Sequence, residues 1–131
     1  MTGFAPELLP DQPFDPWNFR PDVAVEVRGA QLAGCTVDAI DGRLGKVLQA
    51  SLAPEHSYLV VTTRRWLGTR LQLPAGTVGH VDPAGRTVYL DRTRSQVKAA
   101  PRVPPEGYDD PGYRDRLADY YRATYHPASS R

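Results

Sequence analysis

Cysteine occurs once, as Cys35, which excludes an internal disulfide and a zinc site built on cysteine and fits a reducing compartment. The three histidines, His56, His80 and His126, have no second His or Cys at a ligand spacing, so no metal is expected. Long apolar runs are missing. A run such as Tyr58 to Val61 falls far short of the roughly 20 residues that span a bilayer, and the N-terminus lacks an apolar signal core. No phosphate loop is present, because Gly42 and Gly45 sit in a hairpin pattern with no helix behind them. The carboxylates of Asp109 and Asp110 lie in a Pro/Gly turn, where capping of a following helix is their ordinary role. Cys35, in a valine-rich strand, reads as a small buried apolar residue rather than a nucleophile. These absences predict a soluble cytoplasmic protein that is not an enzyme and needs neither cofactor nor metal.

What is present is punctuation and uneven charge. The 131 residues suffice for one domain, and 13 prolines with 11 glycines imply many short elements joined by turns. The net charge of +1 hides a division. Residues 29–103 hold ten Arg or Lys against five Asp or Glu (+5), whereas residues 1–28 carry −3 and residues 104–131 carry −1. A basic body with acidic arms predicts either an anionic partner or arms that lie on the body and neutralise it. Arginine supplies fourteen of the sixteen basic residues, a bias that fits phosphate or carboxylate recognition and equally a GC-rich genome, the safer reading.

The first arm, 1–22, is broken by Pro6, Pro10, Pro13, Pro16 and Pro21, so it is expected to be extended or irregular. It also carries Phe4, Phe14, Trp17 and Phe19, which predicts that it docks on its own body, a second copy or a partner. Val23, Val25 and Val27 alternate with polar residues and read as a short strand. A hairpin follows, Cys35 to Ile40 and Leu44 to Leu48 about an Asp41-Gly42 turn. Further strands are expected at Ser57 to Thr63, Leu71 to Pro74, Thr77 to Val81 and, after the Asp82-Pro83-Ala84-Gly85 turn, Thr87 to Leu90. Residues 23–103 thus read as a small barrel or sandwich of about six short strands, closed by a helical turn at Arg94 to Ala100 that Pro101 stops. In residues 104–131 a C-terminal amphipathic helix is predicted, because Tyr113, Leu117, Tyr120, Tyr121 and Thr124 share one face. Burial of its tyrosines and ordering of its backbone nearly cancel, so its docking is expected to depend on a partner or on dimerisation.

The succession Gly34, Val37, Asp41-Gly42, Leu44-Gly45-Lys46-Val47, Leu73-Pro74, Val78, Val81, Gly85, Val88, Leu90 and Val97 with Ala100-Pro101 resembles the PRC-barrel family over residues 30–102. The Tyr120-Tyr121 pair resembles the Tyr-rich ending found after such barrels. The resemblance implies a strongly curved β-barrel acting as a docking module. That family includes the cytoplasmic domain of the reaction-centre H subunit of purple bacteria, the C-terminal domain of a bacterial ribosome maturation factor, and stand-alone bacterial and archaeal chains. This sequence has neither the membrane helix of the first nor the preceding barrel of the second, and the shared motif is structural, so no site residue is carried over.

The functional expectation is a protein-binding adaptor that forms a homo-oligomer, in the first instance a dimer. Phe14, Trp17 and Phe19 would be anchors on one side, and Tyr113, Leu117, Tyr120 and Tyr121 on the other. Arg64, Arg65 and Trp66 would supply a polar contact. The alternative is a ribosome- or RNA-associated factor using the basic surface of Arg64, Arg65, Arg70, Arg86, Arg92, Arg94, Lys98 and Arg102, with Trp66 stacking on a base.

Overall fold

The computed structural model describes residues 14–63, 69–104 and 107–125. Its first element is a helix, α1 (Pro21–Val27), where alternation predicted a strand. Three valines two apart fit either reading, since the first and third also stand at i and i+4. Pro21 opens the helix with its φ already set, Asp22 lies in the first turn, and Val23 and Val27 are buried while Val25 remains 62% exposed.

Six strands follow: β1 (Thr36–Ala39), β2 (Gly42–Ser51), β3 (Tyr58–Thr63), β4 (Thr69–Pro74), β5 (Val78–Asp82) and β6 (Thr87–Leu90). They form one mixed sheet in the order β4-β3-β2-β1-β6-β5, in which only β1 and β6 run parallel. Ala39 pairs with Gly42, so the first hairpin turns on Ile40 and Asp41, one residue earlier than its sequence suggests; Gly42 opens β2 with a φ of +144°. Gly45 is required by close approach, because a Cβ there would lie 1.9 Å from the Thr62 carbonyl oxygen across the β2–β3 ladder.

The fold is therefore mainly β, and its strand order is open, with β4 and β5 at the two edges. Those edges are joined by only a 3-10 turn, Ala75–Thr77. In a flat sheet they would stand about 24 Å apart, at about 4.8 Å per strand. The chain from Pro74 to Val78 reaches at most about 14 Å. The sheet must therefore curl until its edges meet at that corner, although no ladder between β4 and β5 completes a barrel. Helix α1 runs along the free side of β5, where Glu26 accepts the Val81 N–H at 2.9 Å. An edge N–H is thereby satisfied by a side chain in place of a strand.

Inside the curl pack Val37, Val47, Leu59, Val61, Leu73, Val78, Val81 and Val88, joined by Val23 from α1. Two more helices follow among the described residues. α2 (Arg94–Lys98) begins with a capping box of Thr93 and Gln96, and α3 (Pro111–Ala123) begins at Asp110, whose carboxylate accepts the Tyr113 N–H as the sequence predicted. Tyr113, Leu117 and Tyr121 of α3 are fully buried in the same core. The helix thus packs on the body of its own chain; its docking was expected to depend on a partner or on dimerisation. Arg92 of the body donates to the Tyr121 carbonyl of α3, and Trp17 of the strap region stacks on Arg114 of α3. No helix among the described residues is long and apolar enough to cross a membrane.

Candidate functional site

Residues 14–20, the described part of the first arm before α1, fold back as a strap over the β4–β5 corner. The Gly76 N–H donates to the Pro16 carbonyl at 2.9 Å, the Ser57 N–H to the Trp17 carbonyl at 3.1 Å, and the Glu55 N–H to Asn18 Oδ1 at 2.9 Å. Arg20 returns two hydrogen bonds to the Gly76 carbonyl, at 3.1 and 3.2 Å. This lacing is possible because position 76 is glycine: a Cβ there would stand 2.2 Å from the Asp15 carbonyl oxygen and 2.9 Å from the Phe14 ring. Phe14, Trp17 and Phe19 are half-buried against the core of their own chain.

Strap, sheet and C-terminal helix converge on Arg92. Two residues beyond the inward-facing Leu90, this side chain is only 1% exposed. Its Nη2 donates to the Tyr121 carbonyl at 2.7 Å and its Nε to Thr124 Oγ1 at 2.9 Å, both on α3 or its cap. Its Nη1 pairs with the carboxylate of Asp91, which also binds Arg20 of the strap. The guanidinium lies 5.1 Å from the ring centre of Phe14, 5.6 Å from that of Tyr121 and 5.4 Å from that of Tyr125. A buried cation is tolerable only when paired and hydrogen-bonded, and Arg92 has its ion pair in Asp91 and its hydrogen bonds in Tyr121 and Thr124, with the Phe14 ring of the strap beside it. It belongs to the interior, so it must be removed from the basic surface that the sequence suggested. Period-two alternation from Val88 and Leu90 would have pointed residue 92 inward, but a charge at a strand end reads as exposed.

A second arginine repeats the chemistry outside. Arg114 stacks on Trp17 at 4.0 Å and donates to the Glu55 carbonyl at 3.2 Å, fixing α3 to the strap. Phe14 and Tyr125 stack with ring centres 5.0 Å apart and planes 23° from parallel. Beside that stack opens a groove of about 730 Å³ with walls of Phe14, Pro16, Phe19, Pro21 and Tyr125 and with Gly76 in its lining. Asp15, Asp22, Arg20 and Arg122 add charge to it. This volume lies in the range that holds small ligands or a short stretch of peptide. No family model and no curated protein matches the chain.

The expected anchors divide into two groups. Phe14 and Phe19 come together at the groove, with Trp17 behind them on the strap. Tyr113, Leu117 and Tyr121 are consumed by the interior and present no surface, and Tyr120 is partly buried with its hydroxyl donating to the Gln96 carbonyl of α2. Arg64, Arg65 and Trp66 lie outside the described residues. Of the other basic residues, Arg94 faces Asp41 at 3.6 Å and Arg86 donates to the Ala33 carbonyl at 3.0 Å. Asp41 accepts the Arg94 N–H, and this hydrogen bond with the nearby guanidinium lowers its pKa below the usual carboxylate value. The groove and Tyr125 were not anticipated, because residues 14–22, 76 and 122–125 share no local pattern.

Cys35, just before β1, is buried and free, the apolar setting expected of it. His80 stands on the outer side of β5, with Nδ1 2.9 Å from Glu26 and its ring stacked on Tyr89. Among the described residues no group of three His, Cys, Asp or Glu is placed to hold a metal. Burial pushes the phenols of Tyr113 and Tyr121 far above the ordinary tyrosine range and raises those of Tyr58 and Tyr120 as well.

Proposed function

We propose that the chain is a PRC-type barrel module that binds another protein and carries out no chemistry of its own. The observation that supports this reading is the groove between strap and C-terminal helix, whose aromatic walls are held by a buried arginine. Interfaces favour aromatic anchors that are pre-organised, and Phe14 and Tyr125 are fixed by their stack and by Arg92 before any partner arrives. The PRC-type barrel is supported by the curl that brings β4 and β5 to one corner, and by the Gly45 approach within the GRLGKV hairpin. A cytoplasmic setting agrees with the single free cysteine. Self-association is kept as one form that the binding takes. Nucleic acid is the less favoured partner, since Arg92 is withdrawn from the basic surface.

The test is recovery of the tagged full chain from its native lysate, with and without nuclease, alongside light scattering of the pure protein. A defined protein partner or a dimer that survives nuclease, and that Phe19→Ala weakens, is the expected result. Material lost on nuclease treatment, or a monomer that recovers nothing defined, overturns the reading.

A further inference from the structure

The charges of the groove are not equally spent. Both of its arginines already hold carboxylates, Arg20 through Asp91 and Arg122 through Asp119 at 3.1 Å. Asp15 and Asp22 have no cationic partner among the described residues. Asp15 accepts from the Asn18 side chain at 3.0 Å, and Asp22 accepts the N–H of Val23 at 3.1 Å. The groove therefore offers two carboxylates that lack a cationic partner among the described residues, beside the rings of Phe14, Phe19 and Tyr125.

Resting on the binding-module reading, we propose that this groove receives an extended segment of a partner protein in which arginine or lysine stands between apolar residues. The walls would cover the apolar side chains, and the carboxylates would take the cation in charge-assisted hydrogen bonds. The protein already sets arginine against aromatic rings twice within itself, Arg92 among three rings and Arg114 on Trp17, and Arg92 adds the carboxylate of Asp91. A phosphate-bearing ligand meets the opposite condition, because its charge would face Asp15 and Asp22 while both arginines are occupied. An acidic peptide is disfavoured for the same reason.

The probe is a short fluorescent peptide of proline, leucine and arginine, compared with its counterpart in which glutamate replaces arginine. Anisotropy is read on the full chain, and thermal melting checks that each variant folds. Saturable binding of the arginine peptide alone is expected. Asp15→Asn combined with Asp22→Asn should weaken it about five- to tenfold, the effect of losing two exposed charge pairs. The proposal falls if neither peptide binds, if the glutamate peptide binds equally, or if the double variant binds as the parent does. It also falls if sedimentation shows a dimer that the double variant dissociates and the arginine peptide does not displace, since the occupant is then a second copy. A chain that recovers a defined, nuclease-resistant partner yet binds neither peptide loses this inference and keeps the binding-module reading; one that recovers nothing defined loses that reading.

Discussion

Replacing Gly76 with alanine tests how firmly the strap is seated. The new methyl carbon would stand 2.2 Å from the Asp15 carbonyl oxygen and 2.9 Å from the Phe14 ring, against an ordinary contact of about 3.5 Å. The strap must therefore retreat by more than an ångström. Retreat breaks the Gly76 N–H bond to Pro16 and stretches both Arg20 bonds to the Gly76 carbonyl. Three hydrogen bonds at about 1 kcal/mol each set the upper end of the cost, and overpacking alone costs about 1 to 3 kcal/mol. We expect a loss of about 1 to 3 kcal/mol, read as a lower urea midpoint. Trp17 sits on the strap against Arg114, so its fluorescence should change in native buffer as well. Gly79→Ala is the control, because a Cβ there meets only ordinary contacts at 3.8 Å. If Gly76→Ala leaves both the midpoint and the emission of Trp17 unchanged, the strap is not held at the corner as described.

Arg92→Met removes the ligand of the Tyr121 carbonyl and one of the two partners of Asp91, and should cost about 3 to 5 kcal/mol, with part recovered when Asp91→Asn is added. Thermal melting of both variants checks this, and a neutral single substitution would refute the place given to Arg92. The phenols of Tyr113 and Tyr121 have pKa values raised by burial, so the folded chain keeps those protons at a pH where the unfolded chain loses them. Their effect on stability is absent below the unfolded value near 10 and becomes destabilising as pH rises from there towards the folded values. Tyrosinate absorbance followed with circular dichroism should show exposed tyrosines ionising first and the buried pair only as the fold is lost. Ionisation of all seven tyrosines near pH 10 with the fold intact would contradict that burial.

Turn chemistry and alternation made the strands from β1 to β6 readable, since Asp41-Gly42 and Asp82-Pro83-Ala84-Gly85 bracket valine-rich runs of the right length. The α3 face was equally plain, because Tyr113, Leu117 and Tyr121 keep a helical spacing. Helix α1 was misread because Val23, Val25 and Val27 satisfy two periods at once, and Pro21 with tertiary burial decided between them. Arg92 reads as a surface residue because a charged side chain is usually solvated, an expectation that fails when its neighbour Asp91 and two distant segments supply its partners. The groove has no linear signature at all. It exists only because the sheet curls enough to set residue 76 beneath residues 14–16, and long-range geometry of that kind is not encoded in any short window.

The stack of Phe14 on Tyr125 brings nearly the two extremes of the described chain together, so the polypeptide between them is closed into a loop without a covalent link. Tension applied between its ends is therefore borne first by that aromatic pair and then by the contacts of Arg92, and reaches the β ladders only after both have parted. In mechanical terms the strap and the C-terminal helix act as a clasp in series with the sheet. Pulled apart at Phe14 and Tyr125, the molecule is expected to yield in two stages, a short extension as the clasp opens and a longer one as the strands separate.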